Sequence, residues 1–450
     1  MYYPLKINNM KQYLYHVNSW WTTDKIPPEY QNTIYREKTP EIENYIHDRE
    51  ILILTGPRRS GKTTIIYQLI NSLLKSSIKA KNILYISLDD PEITLNIKKS
   101  LFIDLFELYQ EIISRELKEE KLYIFIDEIQ YYNGWEMWLK KYFDKFPNMK
   151  FIVSGSSSLT IKDESAALTG RNLTFLIYPF SFREYLLAKD NIHMEKTTFE
   201  FESFEDAYAA VIPLNNKLKL ELLEYLRCGG YPRIIAEDTR KSRELLKQYL
   251  YDTIYKDILK IYTVKDVRAL ESIAIYLAHN IGNRFSYRKI SSSLSIDIDT
   301  TIRYIRYIEE TYLFFLVNFF SFSSRAVMQK EKKVYLIDTG LANAISISTN
   351  EPALVENCVF THLIRTFKNI SYWRDVEEVD FVINIDNVPI PVEVKYRNKI
   401  ERKYTRSVIK FCRKFNVNRG IIVTKNDLKK EIIDEVEIWF IPVWLFIAVI

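Results

Sequence analysis

The sequence predicts an α/β fold built on a parallel sheet, and three observations support this prediction. Short apolar runs rich in β-branched and aromatic residues recur at 51–54, 83–86, 123–126 and 151–153. Amphipathic stretches separate these runs, as expected when helices connect successive strands. Each run is apolar throughout rather than alternating with polar residues. Continuous apolar strands are typical of a parallel sheet covered by helices on both faces.

Length and composition indicate a globular protein of several domains. The chain has 450 residues, of which 47% are hydrophobic and 27% charged. Its three cysteines are too widely spaced for a metal cluster or a disulfide framework, which suits a reducing compartment. The amino-terminal segment lacks a signal-peptide pattern, and the longest apolar run, 439–450, is too short to cross a bilayer. We therefore expect a cytoplasmic protein with no membrane partner.

A glycine-rich segment after the first apolar run predicts a phosphate-binding loop that matches G-x-x-x-x-G-K-[ST]. In this pattern, glycines let backbone N–H groups surround phosphates at the start of a helix. The lysine reaches the β- and γ-phosphates, and the following hydroxyl ligates Mg²⁺. The alternative is a glycine turn that only caps a helix. The predicted ATP-binding residues are Gly56, Pro57, Arg58, Arg59, Ser60, Gly61, Lys62, Thr63 and Thr64.

Polar residues at the ends of two further strands predict the rest of a hydrolytic site. Asp127 and Glu128 end the third apolar run. Beside a P-loop, Asp127 would hold the Mg²⁺ shell with Thr63, and Glu128 would polarise the attacking water. The alternative for this pair is a helix N-cap. Ser154 ends the next strand and is predicted to read the γ-phosphate.

Arg171 is a candidate catalytic residue that would act on a neighbouring subunit. It follows Gly170 in a polar segment. An arginine supplied in trans can stabilise the charge that develops during phosphoryl transfer, which would imply a homo-oligomer. The alternative is an ordinary surface arginine.

Positive charge is concentrated near the carboxyl terminus. The net charge of the chain is only +5, yet ten Lys or Arg residues and one acid, Glu401, lie between Lys395 and Arg419. We call these residues the basic segment. Such a segment predicts contact with a polyanion, and DNA is the expected partner. The alternative is a solvated helix face.

Four residues near the basic segment predict a second site. Glu393 and Lys395 are two apart on a predicted strand, so both face one side. Asp380 lies on the preceding strand of a hairpin closed at 386–387, and Glu356 lies on a helix. Glu356, Asp380 and Glu393 could bind Mg²⁺ while Lys395 orients water for phosphodiester cleavage. Whether such a domain cleaves DNA or only binds it stays open.

Residues 266–320 predict a winged helix. Helices are expected near 267–280, 287–294 and 297–310, followed by an aromatic strand at 313–320. The third helix could contact DNA, or the module could serve only for packing.

Together these motifs resemble an AAA+-type P-loop ATPase family, mostly archaeal and bacterial, that carries a C-terminal restriction-endonuclease-like, PD-(D/E)xK domain of unknown function. The segments that carry the resemblance beyond the P-loop are Ile126–Gln130, Ser154–Ser157, Leu168–Arg171, Pro179–Glu184, Gly229–Pro232 and Asp338–Leu341. The resemblance implies an AAA+-like core with a helical lid, a winged helix and an α/β nuclease-like domain. It also implies that Pro232 approaches the nucleotide.

The expected organisation has five parts. They are a lead-in (1–50), the ATPase core (51–181), the helical lid (182–265), the winged helix (266–330) and the nuclease-like domain (331–450). The expected function is ATP hydrolysis coupled to action on DNA, with the nucleotide state controlling the nuclease-like domain. The alternative is a signalling switch whose nuclease-like domain is an inactive binding module for DNA or protein.

Overall fold

The structure is a computed structural model that describes residues 7–94, 100–114, 116–155, 168–345 and 350–450. The chain forms two compact units, Met1–Tyr178 and Pro179–Ile450. One unit contains a five-stranded sheet and the other a nine-stranded sheet. The P-loop and the carboxylates of the second predicted site therefore lie in different units.

The first unit is an α/β domain with a fully parallel sheet. Its strands are β1 (Ile51–Thr55), β2 (Ile83–Ser87), β3 (Leu122–Asp127), β4 (Met149–Gly155) and β5 (Asn172–Leu176). Its described helices are α1 (Ile7–Val17), α2 (Trp20–Thr23), α3 (Pro28–Gln31), α4 (Thr39–Glu43), α5 (Lys62–Lys75), α6 (Pro91–Thr94), α7 (Leu101–Ile113) and α8 (Trp135–Lys145). The strand order is β2-β3-β4-β1-β5, and all pairs are parallel. The predicted fold class is confirmed.

The apolar strands explain why polar groups gather at one edge of this sheet. Every residue of β1, β3 and β4 is buried, as expected for strands covered on both faces. Since parallel strands all end at the same edge, the P-loop after β1 lies beside the ends of β4 and β3.

The lead-in segment covers the open edge of β2. The amide side chain of Asn18 donates to Tyr85 O (3.0 Å) and accepts from Tyr85 N (2.6 Å), as a neighbouring strand would. The indole N–H groups of Trp20 and Trp21 both donate to Ile83 O. These bonds satisfy backbone groups that an exposed edge strand would leave unpaired. Residues before the P-loop are thus part of the same unit.

The second unit begins with helices. Its described helices are α9 (Phe182–Asp190), α10 (Phe201–Val211), α11 (Asn215–Cys228), α12 (Thr239–Asp252), α13 (Leu259–Ile261), α14 (Val267–His279), α15 (Tyr287–Leu294), α16 (Ile298–Glu309), α17 (Ser324–Gln329), α18 (Thr339–Ile345), α19 (Glu351–Thr366), α20 (Arg406–Phe415) and α21 (Val443–Val449). A capping box starts α9, because Ser181 and Glu184 each accept from the other's backbone N–H. The helices α14, α15 and α16 lie where the sequence predicted the three helices of a winged helix, and that assignment stays a prediction.

A mixed nine-stranded sheet forms the rest of the second unit. Its strands are β6 (Arg284–Phe285), β7 (Phe314–Phe319), β8 (Lys332–Leu336), β9 (Ser371–Arg374), β10 (Glu378–Ile385), β11 (Val388–Lys395), β12 (Arg419–Thr424), β13 (Lys429–Ile433) and β14 (Val436–Pro442). The order is β13-β14-β12-β11-β10-β9-β7-β8-β6. Because β7 pairs with β8 on one side and with β9 on the other, the sheet is continuous across residue 330, where a domain boundary was predicted.

A hairpin in this sheet brings the predicted carboxylates together. Strands β10 and β11 pair antiparallel from Phe381↔Val392 to Ile385↔Val388. The two turn residues, Asp386 and Asn387, have φ of 51° and 65°, as a two-residue hairpin turn with left-handed central residues requires. The predicted hairpin is confirmed, and it sets Asp380 beside the residues that follow Val392.

The apolar carboxyl-terminal run is internal to the second unit. It forms the end of β14 and the helix α21, whose residues are all buried. No helix within the described residues is both long enough and apolar enough to span a membrane.

Candidate functional site

The P-loop adopts a backbone conformation that depends on glycine at two positions. Gly56 has φ of 145°, and a Cβ there would lie 2.3 Å from Ile177 O. Gly61 has φ of 98° and precedes the first residue of α5, Lys62. L-residues rarely adopt these values, so the two glycines let the loop turn sharply into the helix. The free N–H groups at the start of α5 make this an anion-binding position.

Polar side chains inside the loop match the chemistry of a bound triphosphate. The buried Lys62 ammonium donates to the carbonyl groups of Gly56 and Pro57, each at 3.1 Å. The buried hydroxyl groups of Ser60 and Thr55 have no hydrogen-bond partner within the described residues. Buried hydroxyl groups normally find partners, so these two are suited to ligand oxygens.

Thr63, Asp127 and Ser154 form one hydrogen-bonded cluster at the ends of adjacent strands. Thr63 Oγ1 donates to Asp127 Oδ2 (2.6 Å), and Ser154 Oγ donates to Asp127 Oδ1. Ser154 Oγ also accepts from Glu128 N at 3.1 Å. The hydroxyl of Thr63 and the carboxylate of Asp127 are hard oxygen donors of the kind that Mg²⁺ prefers, so the residues present fit this ion.

The electrostatics of Asp127 also favour a cation. Burial, followed by the neighbouring charge of Glu128, raises the pKa of Asp127 to about 6. The hydroxyl of Tyr85 donates to Asp127 Oδ2 at 3.2 Å. A divalent cation at this carboxylate would offset the cost of burying its negative charge.

Glu128 has a strained backbone. Its φ is 55°, in the left-handed region that few non-glycine residues adopt. The side-chain amide of Gln130 donates to Glu128 Oε2. Strain of this kind persists where the surrounding structure fixes a side chain in a particular direction. The P-loop residues, Asp127, Glu128 and Ser154 therefore lie together in the first unit, and their roles toward nucleotide and Mg²⁺ stay predictions.

Two residues of this site had no motif to reveal them. Arg36 is buried and donates from Nη1 to Ser60 O (2.7 Å) and from Nη2 to Tyr178 O (2.8 Å). It thereby ties the P-loop to the segment that follows β5. Tyr85, which contacts Asp127, lies within an apolar strand. The pairing of β2 with β3 places Ser87 opposite Asp127, and Tyr85 lies two residues before Ser87 on β2. This register is the feature that would have indicated that Tyr85 lies near Asp127.

Arg171 lies away from its own P-loop. It directly precedes β5, whose first residue, Asn172, pairs with Ile51, the first residue of β1. The P-loop follows the opposite end of β1. The guanidinium of Arg171 contacts Asp144 at 3.3 Å and is one-third exposed. A role toward a neighbouring subunit stays a prediction.

The segment Gly229–Pro232, in which Pro232 was predicted to approach the nucleotide, lies in the second unit, and its backbone contacts Asp338. Pro232 starts a short 3₁₀ helix, Pro232–Ala236. Asp338 accepts from Gly230 N (2.7 Å) and Leu341 N (3.0 Å). Burial raises the pKa of Asp338 to about 6. The segments Gly229–Pro232 and Asp338–Leu341, which are far apart in sequence, are thus joined by hydrogen bonds to Asp338. The approach of Pro232 to a nucleotide stays a prediction.

The second predicted site is a buried cluster of carboxylates around two ammonium groups. Asp380 Oδ2 accepts from Val394 N at 3.0 Å, and Glu393 accepts from Asp380 N at 3.2 Å. Lys395 Nζ donates to Glu393 Oε1. The structure therefore brings the predicted residues together and adds one that the sequence did not indicate. This addition is Lys333, whose ammonium lies within 2.9 Å of Glu356 Oε1 and 3.1 Å of Asp380 Oδ1. We call the group formed by Lys333, Glu356, Glu378, Asp380, Glu393 and Lys395 the carboxylate cluster.

Burial and the nearness of other carboxylates shift the pKa values of the acidic residues in the carboxylate cluster. Burial and the charge of Asp380 raise the pKa of Glu356 to about 7 and that of Glu393 to about 8. Burial alone would also raise the pKa of Asp380, but the ammonium groups of Lys333 and Lys395 leave it below its ordinary value. Within the described ranges, no three His, Cys, Asp or Glu side chains are grouped as metal ligands. The metal roles predicted for Glu356, Asp380 and Glu393 stay predictions.

The basic segment contains the helix α20 and presents its charges to solvent. One face of α20 is buried through Val408 and Phe411. Its exposed cations are Arg397, Lys399, Arg402, Lys403, Arg406, Arg413 and Lys414. Some have acidic neighbours, as in the pair of Arg402 with Asp434 at 2.7 Å. The predicted contact with DNA stays a prediction.

Three family descriptions match successive parts of the chain. Residues 48–186 match an AAA domain. Residues 219–351 and 352–446 match two domains of unknown function, DUF8612 and DUF4143.

Whole-length relatives come from archaea and bacteria. The uncharacterized protein MJ1544 of Methanocaldococcus jannaschii is 30% identical over 428 residues, which cover 90% of this chain and 89% of the relative. An uncharacterized protein of Haemophilus influenzae is 25% identical over 88% of this chain and 94% of the relative.

Solved structures with partial similarity include the Walker-type ATPase PABY2304 of Pyrococcus abyssi. That structure has a TM-score of 0.45 and 16% identity, and the match covers 71% of this chain and 97% of that chain. AMPPCP-bound DnaA from Aquifex aeolicus has a TM-score of 0.27 and 16% identity, with 63% of this chain and 92% of that chain covered.

Proposed function

We propose that this chain, which belongs to the same family as the archaeal protein MJ1544 and matches an AAA domain over residues 48–186, is an ATPase that binds ATP with Mg²⁺ at the P-loop. The observation that carries this proposal is the cluster of Thr63, Asp127 and Ser154 beside the Lys62 ammonium. These groups come from different strands and loops, and a purely structural role would not require a lysine buried within a glycine loop.

Each residue of the site has a separate task in the proposed reaction. Lys62 binds the β- and γ-phosphates, and the N–H groups of the loop surround them. Thr63 and Asp127 would hold Mg²⁺, and the bound ion would supply positive charge beside the phosphate oxygens. Glu128 orients the attacking water and accepts its proton. Ser154, predicted to read the γ-phosphate, also donates to Asp127 Oδ1 and accepts from Glu128 N, which holds both residues in place.

The test separates binding from turnover. Lys62→Ala should abolish ATP hydrolysis, whereas Glu128→Gln should retain ATP binding and lose most turnover. Binding is measured by equilibrium titration with a fluorescent ATP analogue, and turnover by phosphate release. Unchanged turnover in Glu128→Gln would remove Glu128 from the role of base, and loss of binding in that variant would also count against the assignment.

We further propose that the nucleotide state controls binding of DNA by the second unit. The exposed cations of the basic segment support this proposal, because they follow directly after β11 and would neutralise phosphates. The test measures the affinity of the Glu128→Gln variant for DNA twice, once with ATP bound and once with ADP bound. Equal affinities in the two nucleotide states would contradict control by nucleotide.

DNA cleavage by the second unit is a second candidate function. It is favoured by Asp380, Glu393 and Lys395, which lie together on one hairpin in the order expected of a nuclease-like site. Cleavage of plasmid DNA with Mg²⁺ or Mn²⁺ by the wild type, absent in Asp380→Ala, would establish it. An intact plasmid under conditions where DNA is bound would instead support a binding module.

A further inference from the structure

A lysine from outside the predicted site lies at the centre of the carboxylate cluster. Lys333 lies on β8, and its side chain is only 1% exposed. Its ammonium lies 2.9 Å from Glu356, 2.8 Å from Glu378 and 3.1 Å from Asp380. A buried ammonium is stable only when charged or polar partners surround it, and here three carboxylates do so.

The strand β8 directs two side chains at the same carboxylate oxygen. Lys333 and Tyr335 are two apart on β8 and so face one side. Both donate to Glu356 Oε1, the ammonium at 2.9 Å and the phenol at 2.7 Å. Glu378 has a further partner in Arg284, at 3.4 Å. Lys333, Tyr335 and Arg284 thus already contact carboxylate oxygens of Glu356 and Glu378 that a metal ion would need as ligands.

The residues present do not fit a divalent metal while Lys333 is in this position. Mg²⁺ or Mn²⁺ would have to approach the carboxylate oxygens to about 2.1 Å. The ammonium bonds the same two residues, through Glu356 Oε1 and Asp380 Oδ1. A dication bound between these carboxylates would lie within about 4 Å of the buried ammonium, where repulsion at low dielectric is severe.

We propose that Lys333 is a built-in cation that takes the place of a divalent metal in the carboxylate cluster. The cluster then keeps its carboxylates in place without a metal, which favours a binding module over the metal-dependent DNA cleavage named above as a second candidate function. Removal of the ammonium leaves several buried carboxylates facing one another, which creates a site for a divalent cation. The inference concerns the cluster alone and stands whether or not the first unit hydrolyses ATP.

The experiment measures Mn²⁺ binding to the full chain without nucleotide. All proteins carry Asp127→Asn, which removes the carboxylate from the two candidate metal ligands of the first unit, Thr63 and Asp127. In this parent, adding Asp380→Asn should leave the Mn²⁺ titration unchanged. Lys333→Ala should gain one Mn²⁺ site at least about tenfold tighter than any binding by the parent, and Mn²⁺ should raise its Tm. Adding Asp380→Asn to Lys333→Ala should remove the gain.

A matched control uses the neighbouring lysine on the same strand. Lys332→Ala removes an equal charge one residue away, on the other side of β8, and should gain no Mn²⁺ site. Mn²⁺ binding by the parent that Asp380→Asn abolishes would overturn the proposal, since the ammonium would then yield to a metal. A folded Lys333→Ala that gains no site would overturn it equally. If Lys333→Ala fails to fold even with Mn²⁺, the Mn²⁺ titrations of the parent and of its Asp380→Asn variant decide. Equal titrations support the proposal, and binding that Asp380→Asn abolishes overturns it.

Discussion

The Thr63 hydroxyl donates to Asp127 Oδ2 at 2.6 Å, which joins the first turn of α5 to the end of β3. The two residues are 64 positions apart. Their contact requires β3 to lie close to β1 in the sheet, with β4 between them. The pair is thus a direct consequence of the strand order, and it places a hydroxyl and a carboxylate where Mg²⁺ would accompany a nucleotide.

Thr63→Val should lower Mg²⁺-dependent ATP turnover by about 100-fold, because the metal loses an oxygen ligand whose contribution amounts to several kcal/mol. The side chain keeps its shape, so the fold should persist. Thr63→Ser retains the hydroxyl and should keep most activity. Steady-state phosphate release across a Mg²⁺ titration is the measurement. Equal activity of the Val and Ser variants would contradict a metal-binding role.

Arg36→Met should weaken ATP binding by about tenfold and lower the free energy of unfolding by about 2 kcal/mol, since two charged hydrogen bonds to backbone carbonyls are lost. Arg36→Lys should rescue only part of this loss, because one ammonium cannot span both Ser60 O and Tyr178 O as the guanidinium does. Lys38→Met, a change two residues away at a partly exposed side chain paired with Glu41, is the control for the segment. Nucleotide affinity like that of the wild type in Arg36→Met would show that the P-loop needs no support from the lead-in.

Mixing Arg171→Ala with Lys62→Ala should restore ATP turnover if Arg171 acts on a neighbouring subunit. Each variant then supplies the residue that the other lacks, and Arg171 lies at the sheet edge opposite its own P-loop. Co-assembly is verified with differently tagged chains, and turnover is measured across mixing ratios. Absence of rescue in mixtures that co-assemble would leave Arg171 as a surface residue paired with Asp144.

Asp338→Asn should change the pH dependence of stability. Burial raises the pKa of Asp338 in the folded protein to about 6, above its ordinary value of 3.8. The folded state therefore holds this proton more tightly. The resulting stabilisation is fully present below about pH 4 and is lost as pH rises through 6, by at most about 3 kcal/mol.

The asparagine variant lacks this titration. The stability advantage of the wild type over Asp338→Asn should therefore shrink between pH 4 and pH 7, measured as free energy of unfolding in urea. A baseline cost is expected at every pH, because one amide oxygen cannot accept from both Gly230 N and Leu341 N as the carboxylate does. An advantage that stays constant or grows with pH would show that the pKa of Asp338 is not raised.

The sequence predicted those features that depend on local pattern. The apolar runs located β1 to β4, and the glycine spacing located the loop and Lys62. Arg36 and Asn18 were missed because their roles depend on where a loosely patterned lead-in packs, which no local periodicity encodes. Lys333 was missed for a similar reason. Its ammonium contacts Glu356, Glu378 and Asp380, which lie on other elements far along the chain, and a lysine at the start of a strand usually indicates a solvent-exposed end.

Neutralising four exposed cations of the basic segment should weaken DNA binding and reduce its salt dependence. The changes are Lys399→Gln, Arg402→Gln, Lys403→Gln and Arg406→Gln. Each phosphate contact releases counterions, so the slope of log affinity against log salt should fall by about 0.9 for each contact removed. Binding should weaken alike on different sequences, because phosphate contacts position a protein without reading bases.

The matched control for this variant removes four cations, three exposed and one partly exposed (Lys247), from another part of the second unit, near α12. It carries Arg240→Gln, Lys241→Gln, Lys247→Gln and Lys256→Gln, so both variants lose the same net charge. Only the loss of direct phosphate contacts should change the salt slope strongly, whereas the long-range effect of net charge should be equal in the two variants. ATP turnover without DNA should remain close to that of the wild type in both. An unchanged slope in the basic-segment variant would identify that segment as a solvated helix face, and α16 would then be the better candidate for contact with DNA.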